Sequence, residues 1–148
     1  MTILFIVTKV KDLMTPNPLL ISPAATLEQA AKKMETVNCG ALPVGTENKL
    51  SGIITDRDIV IRAIAHGKNP ATVKVGACMT EKVYACNEND SLEEAAEVMQ
   101  RYKVSRLVVK DKEGHVTGIL SFGSILRNEA DPKEIAGVVK RCCGPVAV

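Results

Sequence analysis

The segment Leu50-Ser-Gly-Ile-Ile-Thr-Asp-Arg-Asp-Ile59 has a second version later in this chain of 148 residues. Its counterpart is Val116-Thr-Gly-Ile-Leu-Ser-Phe-Gly-Ser-Ile125, which lies 66 positions further on. Upstream of both segments the offset is 65, and residues 10–44 match residues 75–109. An internal repeat of this length indicates that the fold is built from two copies of one unit.

Each copy predicts the same first helix. A short extended piece, residues 19–21 or 83–85, leads to a capping box at Thr26-Leu-Glu-Gln29 or Ser91-Leu-Glu-Glu94, and such boxes mark helix starts. Apolar residues then recur at helical spacing, which predicts one buried stripe in each helix. The stripes are Leu27, Ala30, Ala31 and Met34, and Leu92, Ala95, Ala96 and Met99.

Two apolar runs follow each helix and predict a β-hairpin, because polar turn residues separate them. The runs are residues 41–44 and 50–54, and residues 106–109 and 116–120. A second helix should follow each hairpin, from Asp56 to about Ala65 with Gly67 as its stop, and from Gly123 to about Asn128. The fold class is therefore α+β, with two β-α-β-β-α repeats whose sheets we expect to pack together with pseudo-two-fold symmetry.

The repeat divides the chain into four regions. We expect residues 1–9 to form an N-terminal strand or arm, residues 10–66 the first repeat, residues 75–128 the second repeat, and residues 129–148 a partly helical tail. The apolar run from Ile3 to Val7 is too short to cross a bilayer, so we expect no membrane association.

Composition excludes some partners. The 19 Lys and Arg residues nearly cancel the 17 Asp and Glu residues, so the net charge of +2 provides no broad field for nucleic acid. Two Phe, two Tyr and no Trp leave little material for stacking successive bases. Five cysteines without a C-x-x-C pair argue against a disulfide framework and a zinc ribbon, so we expect a reducing cytoplasm and no metal site.

The ordered set of motifs resembles a CBS domain, and the two copies together resemble a stand-alone tandem CBS pair, or Bateman module. The resemblance rests on Lys11-Asp-Leu-Met-Thr-Pro-Asn-Pro18, on Ala-Leu-Pro-Val at 41–44 and above all on residues 52–59. It implies a non-catalytic regulatory module that binds an adenosine-containing ligand in a cleft between the repeats. AMP, ADP or ATP is the expected ligand, with S-adenosylmethionine or NAD as the alternative. The resemblance also implies a homodimer formed through the repeats and an effector protein that receives the signal.

The segment Thr55-Asp56-Arg57-Asp58 is the main candidate for ligand binding. A helix N-terminus attracts phosphate, the Thr55 hydroxyl can donate to a phosphate oxygen, and the Asp58 carboxylate has two acceptor oxygens for the hydroxyls of a ribose. Arg57 is a weaker candidate for a phosphate contact. The same pattern also fits an ordinary N-cap with an acid in the first turn. An Asp58 carboxylate turned wholly onto its own backbone would argue against the ribose contact.

The second copy departs from this pattern. Ser121 keeps the hydroxyl, but Ser124 replaces the carboxylate, so the second site should be weaker, empty or differently selective. Arg106, which follows Ser105, could clamp phosphate through its planar guanidinium, or could be a surface arginine on an edge strand.

The resemblance places the adenine against short segments of both copies: Asn17, Pro18, Leu19, Gly40, Ala41, Lys82, Val83, Tyr84 and Ser105. Tyr84 could stack on the base, although a tyrosine on a short strand is commonly part of the core or its rim. Lys82 could neutralise phosphate or simply be solvated.

Catalysis is not expected, because the sequence has no phosphate-binding loop, no dinucleotide-binding glycine motif and no nucleophile with a histidine at recognisable spacing. We therefore expect no cofactor. Two alternative functions stay open. One is a ligand-independent dimeric scaffold whose dimer surface or tail docks a partner, and the other is thiol-based regulation through Cys142 and Cys143.

Overall fold

The computed structural model describes residues 8–128 and 131–143. Residues 1–7 of the predicted N-terminal arm, and residues 129–130 and 144–148 of the predicted tail, lie outside the described residues. The helices are α1 Val10–Leu13, α2 Leu27–Val37, α3 Asp56–Arg62, α4 Val75–Cys78, α5 Leu92–Tyr102, α6 Phe122–Asn128 and α7 Pro132–Cys142. The strands are β1 Thr15–Pro16, β2 Ala41–Gly45, β3 Leu50–Thr55, β4 Ala85–Asn87, β5 Arg106–Lys110 and β6 Val116–Ser121. The expected α+β class with two repeats of strands and helices is confirmed.

The chain forms two compact units. Each unit contains most of one sequence copy together with the first segment of the other copy. The central unit runs from Pro18 to Val83, and the terminal unit combines residues 8–17 with the described residues from Tyr84 onward. Helix α1 and strand β1, from the first copy, thus pack with the second copy, and α4 packs with the first. The sequence repeat alone gave no sign of this exchange.

The central unit is a hairpin covered by helices. Strands β2 and β3 pair antiparallel with Ala41 opposite Thr55, and Ile21 adds an isolated parallel bridge to Val44. The residues that form its core are Ile21, Leu27, Ala30, Met34, Leu42, Val44, Ile54, Ile59, Ala63, Val75 and Cys78. Burying this apolar set removes it from water and is the main force that holds the unit together.

The terminal unit contains a four-stranded sheet in the order β1-β6-β5-β4. Strands β5 and β6 form the second predicted hairpin, and β4 runs parallel to β5. The core is larger because α7 joins it: its residues are Val10, Leu13, Cys86, Leu92, Ala95, Ala96, Met99, Leu107, Val109, Leu120, Ile125, Ile135, Val138 and Cys142.

The two expected extended pieces are shorter than predicted. In the first piece only Ile21 is bridged, and the second strand, β4, begins at Ala85. Both pieces nevertheless lie against a hairpin, because the Ile21 N–H donates to Pro43 O at 3.1 Å and the Val108 N–H donates to Tyr84 O at 3.0 Å.

The helix signals are largely confirmed. Thr26 and Gln29 form both reciprocal bonds of the predicted capping box, whereas Ser91 makes only the bond from the Glu94 N–H and lies in an antiparallel bridge with Lys9. Helix α3 ends at Arg62 and a 3₁₀ turn follows it. Gly67 then stops the segment with a φ of +68°, a left-handed conformation that favours glycine. None of the described helices is long and apolar enough to cross a bilayer.

The prediction of a buried stripe was wrong at one position. Ala31 is exposed on α2, whereas its counterpart Ala96 on α5 is only 2% exposed. The reason is that α7 packs against α5, and in the part of the chain that the structure describes no helix covers α2 in the same way.

Candidate functional site

The end of β3 and the start of α3 bring four of the predicted residues together in the central unit. Thr55 lies opposite Ala41 in the hairpin, and the Asp56 N–H donates to Gly40 O at 3.0 Å. A Cβ on Gly40 would come within 2.9 Å of Asp56 Oδ2, so the acidic side chain closely covers this glycine. Asp58 lies in the first turn of α3 beside this cluster.

Thr55 and Asp58 form a complete capping box. The Asp58 N–H donates to Thr55 Oγ1 and the Thr55 N–H donates to Asp58 Oδ2, each at 3.0 Å. The Arg57 N–H donates to Asp56 Oδ1 at 2.8 Å. The expectation that this helix start offers unpaired amides to a phosphate was therefore wrong, because side chains and Gly40 already accept from the amides of Asp56, Arg57 and Asp58.

The second oxygen of Asp58 is not turned onto its own backbone. Oδ1 lies 3.8 Å from Arg62 Nε and 3.5 Å from the Thr80 hydroxyl, which is equally far from Oδ2. The Asp58 side chain keeps 13% of its surface exposed. The carboxylate thus has acceptor capacity beyond its capping role, since each of its oxygens can accept two hydrogen bonds.

The remaining residues of the first predicted group lie in different places. Arg57 and Leu19 are exposed and Pro18 is half-buried in the central unit. Asn17 belongs to the terminal unit, where its N–H donates to Thr117 O at 3.0 Å and its φ is +52°. Lys82 and Val83 end the central unit, with Lys82 exposed and Val83 half-buried.

The terminal unit has an equivalent junction between β6 and α6. Arg106 lies opposite Ser121 in the ladder, and the Phe122 N–H donates to Ser105 O at 3.2 Å. Ser105, Arg106 and Ser121 therefore meet as predicted from the repeat. Strand β5 is not an edge strand, because it lies between β6 and β4, but β4 pairs only with Val108–Lys110 and does not reach the half-buried Arg106.

Ser124 has no surface to offer a ligand. It is 0% exposed, its hydroxyl accepts from the Ser121 N–H at 2.9 Å, and the same hydroxyl donates to Ser121 O at 3.1 Å. The Ser124 N–H donates to Ser121 Oγ at 3.1 Å, so the pair forms a neutral version of the Thr55–Asp58 box. We therefore leave Ser124 out of the proposed site.

Tyr84 already has an aromatic neighbour. Its ring stacks on Tyr102 with centroids 4.1 Å apart and planes 18° from parallel. The ring also packs against the terminal core, which is the core-or-rim alternative foreseen for it. One face of the Tyr84 ring is thus covered, and only the other could meet a base.

Sequence reasoning missed two residues beside Asp58, namely Arg62 and Thr80. A signal was available, because Thr80 matches Thr15 in the repeat and α3 places Arg62 one turn beyond Asp58. The exchange of segments between the copies, which brings Thr80 onto β3, was the missing information.

Other polar groups are explained by local structure. Asp111, Glu113 and His115 in the turn between β5 and β6 hold potential ligand atoms within 4.8 Å of one another. The Asp111 carboxylate accepts the N–H groups of His115 and Glu113 at 2.8 and 3.0 Å, which makes it part of the turn. The backbone N–H of His115 is the main cause that lowers the pKa of Asp111.

The five cysteines divide by burial. Cys39 and Cys143 are exposed, while Cys78, Cys86 and Cys142 are buried. Burial, with a smaller effect from Asp90, raises the pKa of the Cys86 thiol to about 12, and burial also raises the pKa of Cys142. Of the pair considered for thiol-based regulation, only Cys143 is accessible.

A pocket of about 320 Å³ lies in the central unit between residues 20–23 and the turn of the β2–β3 hairpin. Leu20, Thr46 and Lys49 are among its lining residues, and none of the predicted site residues is. It therefore belongs to the opposite end of the hairpin from Thr55.

Comparisons with known proteins agree with the repeat. The family model of the CBS domain matches residues 10–64 and 75–131. Hypoxic response protein 1 of Mycobacterium tuberculosis is 33% identical over 142 residues, which span 95% of this chain and 98% of that protein. The solved structure of CBSX2 in complex with AMP is similar with a TM-score of 0.65 and 27% identity, covering 81% of this chain and 94% of that one. The CBS domain pair of protein MJ0100, solved with 5′-methylthioadenosine and S-adenosyl-L-methionine, has a TM-score of 0.71 and 31% identity and covers 82% of this chain and 94% of that one.

Proposed function

The chain belongs to the CBS domain family, and from this membership we propose that it is a non-catalytic regulatory module that binds an adenosine-containing ligand. The match to Hypoxic response protein 1, of which 98% is covered, supports a regulatory module built from the two CBS domains. Two similar proteins were solved with adenosine compounds, which supports the ligand class. We propose AMP, ADP or ATP as the ligand, with S-adenosylmethionine or NAD as the alternative.

The observation that carries this proposal is the state of the Asp58 carboxylate. Oδ2 accepts the Thr55 N–H in the capping box, while Oδ1 lies 3.8 Å from Arg62 Nε and has lone pairs left to accept further hydrogen bonds. Ribose offers two adjacent hydroxyl donors, which a carboxylate can accept with its two oxygens.

Thr55 would add a contact to phosphate. In the capping box its hydroxyl oxygen accepts from the Asp58 N–H, so the hydroxyl hydrogen remains to be donated. Arg57 is exposed one residue before Asp58 and would supply positive charge to the same phosphate. Backbone groups of Gly40 and Ala41, with Pro18 and Leu19, would meet the adenine. The expected place of the ligand in a cleft between the repeats stays a prediction.

The terminal unit would bind a ligand more weakly or with a different preference. Its junction has Ser121, Ser105 and Arg106 at matching positions, but the buried Ser124 supplies no carboxylate. Arg106 could still bind phosphate as a planar donor, and Lys82, Val83 and Tyr84 stay predicted contacts of this site. Asn17 stays a predicted contact of the first site.

We also propose that the protein acts as a homodimer in the cytoplasm and signals to a separate effector protein. Val60 on α3 is 53% exposed, and its repeat counterpart Leu126 on α6 is 62% exposed. Ile61 and Ile64 extend the apolar surface beside Val60. Neighbouring exposed apolar side chains such as those of Val60, Ile61 and Ile64 favour an interface with a second copy. A signal would arise because a ligand stabilises the conformation that it binds best.

A ligand panel tests the proposal. Purified protein is titrated calorimetrically with AMP, ADP, ATP, S-adenosylmethionine, NAD and GMP, and its melting temperature is recorded with each. We expect an adenosine compound to bind with a Kd between about 1 μM and 1 mM and to raise the melting temperature. If none of the adenosine compounds binds or shifts the melting temperature, the protein is a ligand-independent scaffold instead.

A further inference from the structure

We propose that Arg62 is a positioning residue for the Asp58 carboxylate and joins that carboxylate to the segment Cys78–Thr80. This inference rests on the proposed contact between Asp58 and a ribose. It adds a residue that the repeat pattern did not mark as part of the site.

Arg62 bridges two parts of the central unit. Its Nη1 donates to Cys78 O, in the last residue of α4, at 3.2 Å and to Met79 O, in the next residue, at 3.0 Å. Its Nε lies 3.8 Å from Asp58 Oδ1, which makes a charge pair rather than a short hydrogen bond. The guanidinium is held in place by the two carbonyls and presents its positive charge to the oxygen that the capping box leaves available.

Thr80 also lies beside the carboxylate. Its N–H donates to Ile53 O at 2.8 Å and its carbonyl accepts from the Ile53 N–H at 2.9 Å, so its backbone is fixed on β3. Its hydroxyl lies 3.5 Å from both oxygens of Asp58. Gly52 permits this close approach, since a Cβ there would lie 2.7 Å from Thr80 O.

The terminal unit shows which part of this arrangement is structural. Asn128 takes the position of Arg62, and its Nδ2 donates to Leu13 O at 3.2 Å and to Ser124 O at 2.9 Å. Leu13 corresponds to Cys78 in the repeat. In both units a side chain at the end of the helix that follows the hairpin, α3 or α6, therefore bonds to the end of a short helix, α4 or α1. In the central unit this position holds the cation Arg62, and the carboxylate of Asp58 lies one turn earlier. In the terminal unit the matching residues are the neutral Asn128 and Ser124.

Two consequences follow for a ligand at Asp58. The attraction of the Arg62 guanidinium for Oδ1 holds this oxygen away from the backbone, where it can accept from hydroxyl donors. The same guanidinium donates to the carbonyls of Cys78 and Met79. A ligand that moves the Asp58 side chain would therefore also change the hydrogen bonds by which Arg62 holds this segment.

The matched variant is Arg62→Asn, which copies the terminal unit and retains a donor for the carbonyls. AMP and 2′-deoxy-AMP are titrated into wild type, Arg62→Asn and Arg62→Lys, with thermal unfolding recorded for each. We expect Arg62→Asn to bind AMP about fivefold more weakly and to lose part of the preference for AMP over 2′-deoxy-AMP, while its melting temperature stays near wild type. Arg62→Lys keeps the charge and should restore most of the AMP affinity. Lys32→Asn, which removes the same charge from an exposed pair with Glu28, should bind as wild type does.

The outcomes separate the two proposals. Equal AMP affinity and equal ribose preference in wild type and Arg62→Asn would overturn the role of Arg62 and leave the proposed function intact. A loss of affinity in Arg62→Asn that Arg62→Lys does not restore, or that comes with a lower melting temperature in both variants, would mean that Arg62 is only structural. Wild type that binds no AMP, or does not distinguish it from 2′-deoxy-AMP, would overturn the ribose contact and the role of Arg62 with it.

Discussion

Asp58 and Thr55 exchange two hydrogen bonds of 3.0 Å across the start of α3, and Ser124 and Ser121 exchange two of 2.9 and 3.1 Å at the start of α6. The two junctions therefore share their local geometry and differ in charge. The comparison indicates that a serine is sufficient for the cap. The negative charge of Asp58 is therefore not required for the capping box. We base the proposed ligand contact on this charge.

Gly52 and Gly118 should each be intolerant of alanine. A Cβ on Gly52 would lie 2.7 Å from Thr80 O, and one on Gly118 would lie 2.9 Å from Thr15 O and would also contact Met14 Sδ. We expect Gly52→Ala and Gly118→Ala each to lower the free energy of unfolding by about 1–3 kcal/mol in urea titrations, because backbone must move. Gly137→Ala in α7 meets no atom within 4 Å and should instead raise stability by up to about 1 kcal/mol. Wild-type stability in the first two variants would contradict the exchange of segments between the copies.

Helix α7 should contribute substantially to the stability of the terminal unit. Ile135 is 6% exposed and belongs to the terminal core, so Ile135→Ala should cost about 2–4 kcal/mol of unfolding free energy. The exposed Val37 provides the control, since Val37→Ala should change stability by less than about 0.5 kcal/mol. If Ile135→Ala unfolds like wild type, α7 is not packed on α5 in solution and the tail is available for a partner.

The thiols should react in two classes. At pH 8 an alkylating reagent should modify Cys39 and Cys143 first, because these two are exposed. Cys86 should stay unmodified in the folded protein, since its raised pKa of about 12 keeps the thiol protonated and burial restricts access. Mass spectrometry of peptides after timed labelling gives the order of modification. Early labelling of Cys86 would contradict the described terminal core.

The exposed apolar surface of α3 should be needed for dimer formation. Val60→Glu, at a side chain that is 53% exposed, should shift the mass measured by light scattering from dimer to monomer with little change in melting temperature. Val37→Glu is the matched control on α2, where the side chain is 43% exposed, and should stay dimeric. A wild-type protein that is monomeric at micromolar concentration would refute the proposed homodimer.

Local sequence was sufficient for elements whose signals are local. The Thr26–Gln29 box is complete within four residues, and the left-handed φ of Gly67 is a property of one residue. Side chains within a single turn set both features, so a sequence pattern predicts them well.

Features that depend on distant packing could not be predicted in this way. Ala31 and Ala96 have the same helical pattern, and only the packing of α7 on α5 makes one exposed and the other buried. Thr80 comes next to Asp58 because its segment pairs with β3, a contact that no spacing within one copy reveals. At the start of α3 only the Asp56 amide depends on a distant contact, because it donates to Gly40 O just before β2. The Asp58 amide is paired by the local N-cap, which the sequence offered as the alternative to a phosphate site.

Calorimetric titration of AMP into wild type and Asp58→Ser tests the central claim most directly, because serine should retain the cap as Ser124 does and removes only the carboxylate. The account predicts a melting temperature close to wild type and an AMP affinity lower by about tenfold or more, the loss expected for a hydrogen bond to a charged group. Asp58→Ala, which removes the carboxylate together with the bond that it accepts from the Thr55 N–H, should lose the same affinity and also about 1 kcal/mol of stability. AMP binding to Asp58→Ser that equals binding to wild type would contradict the claim that this carboxylate holds the ribose.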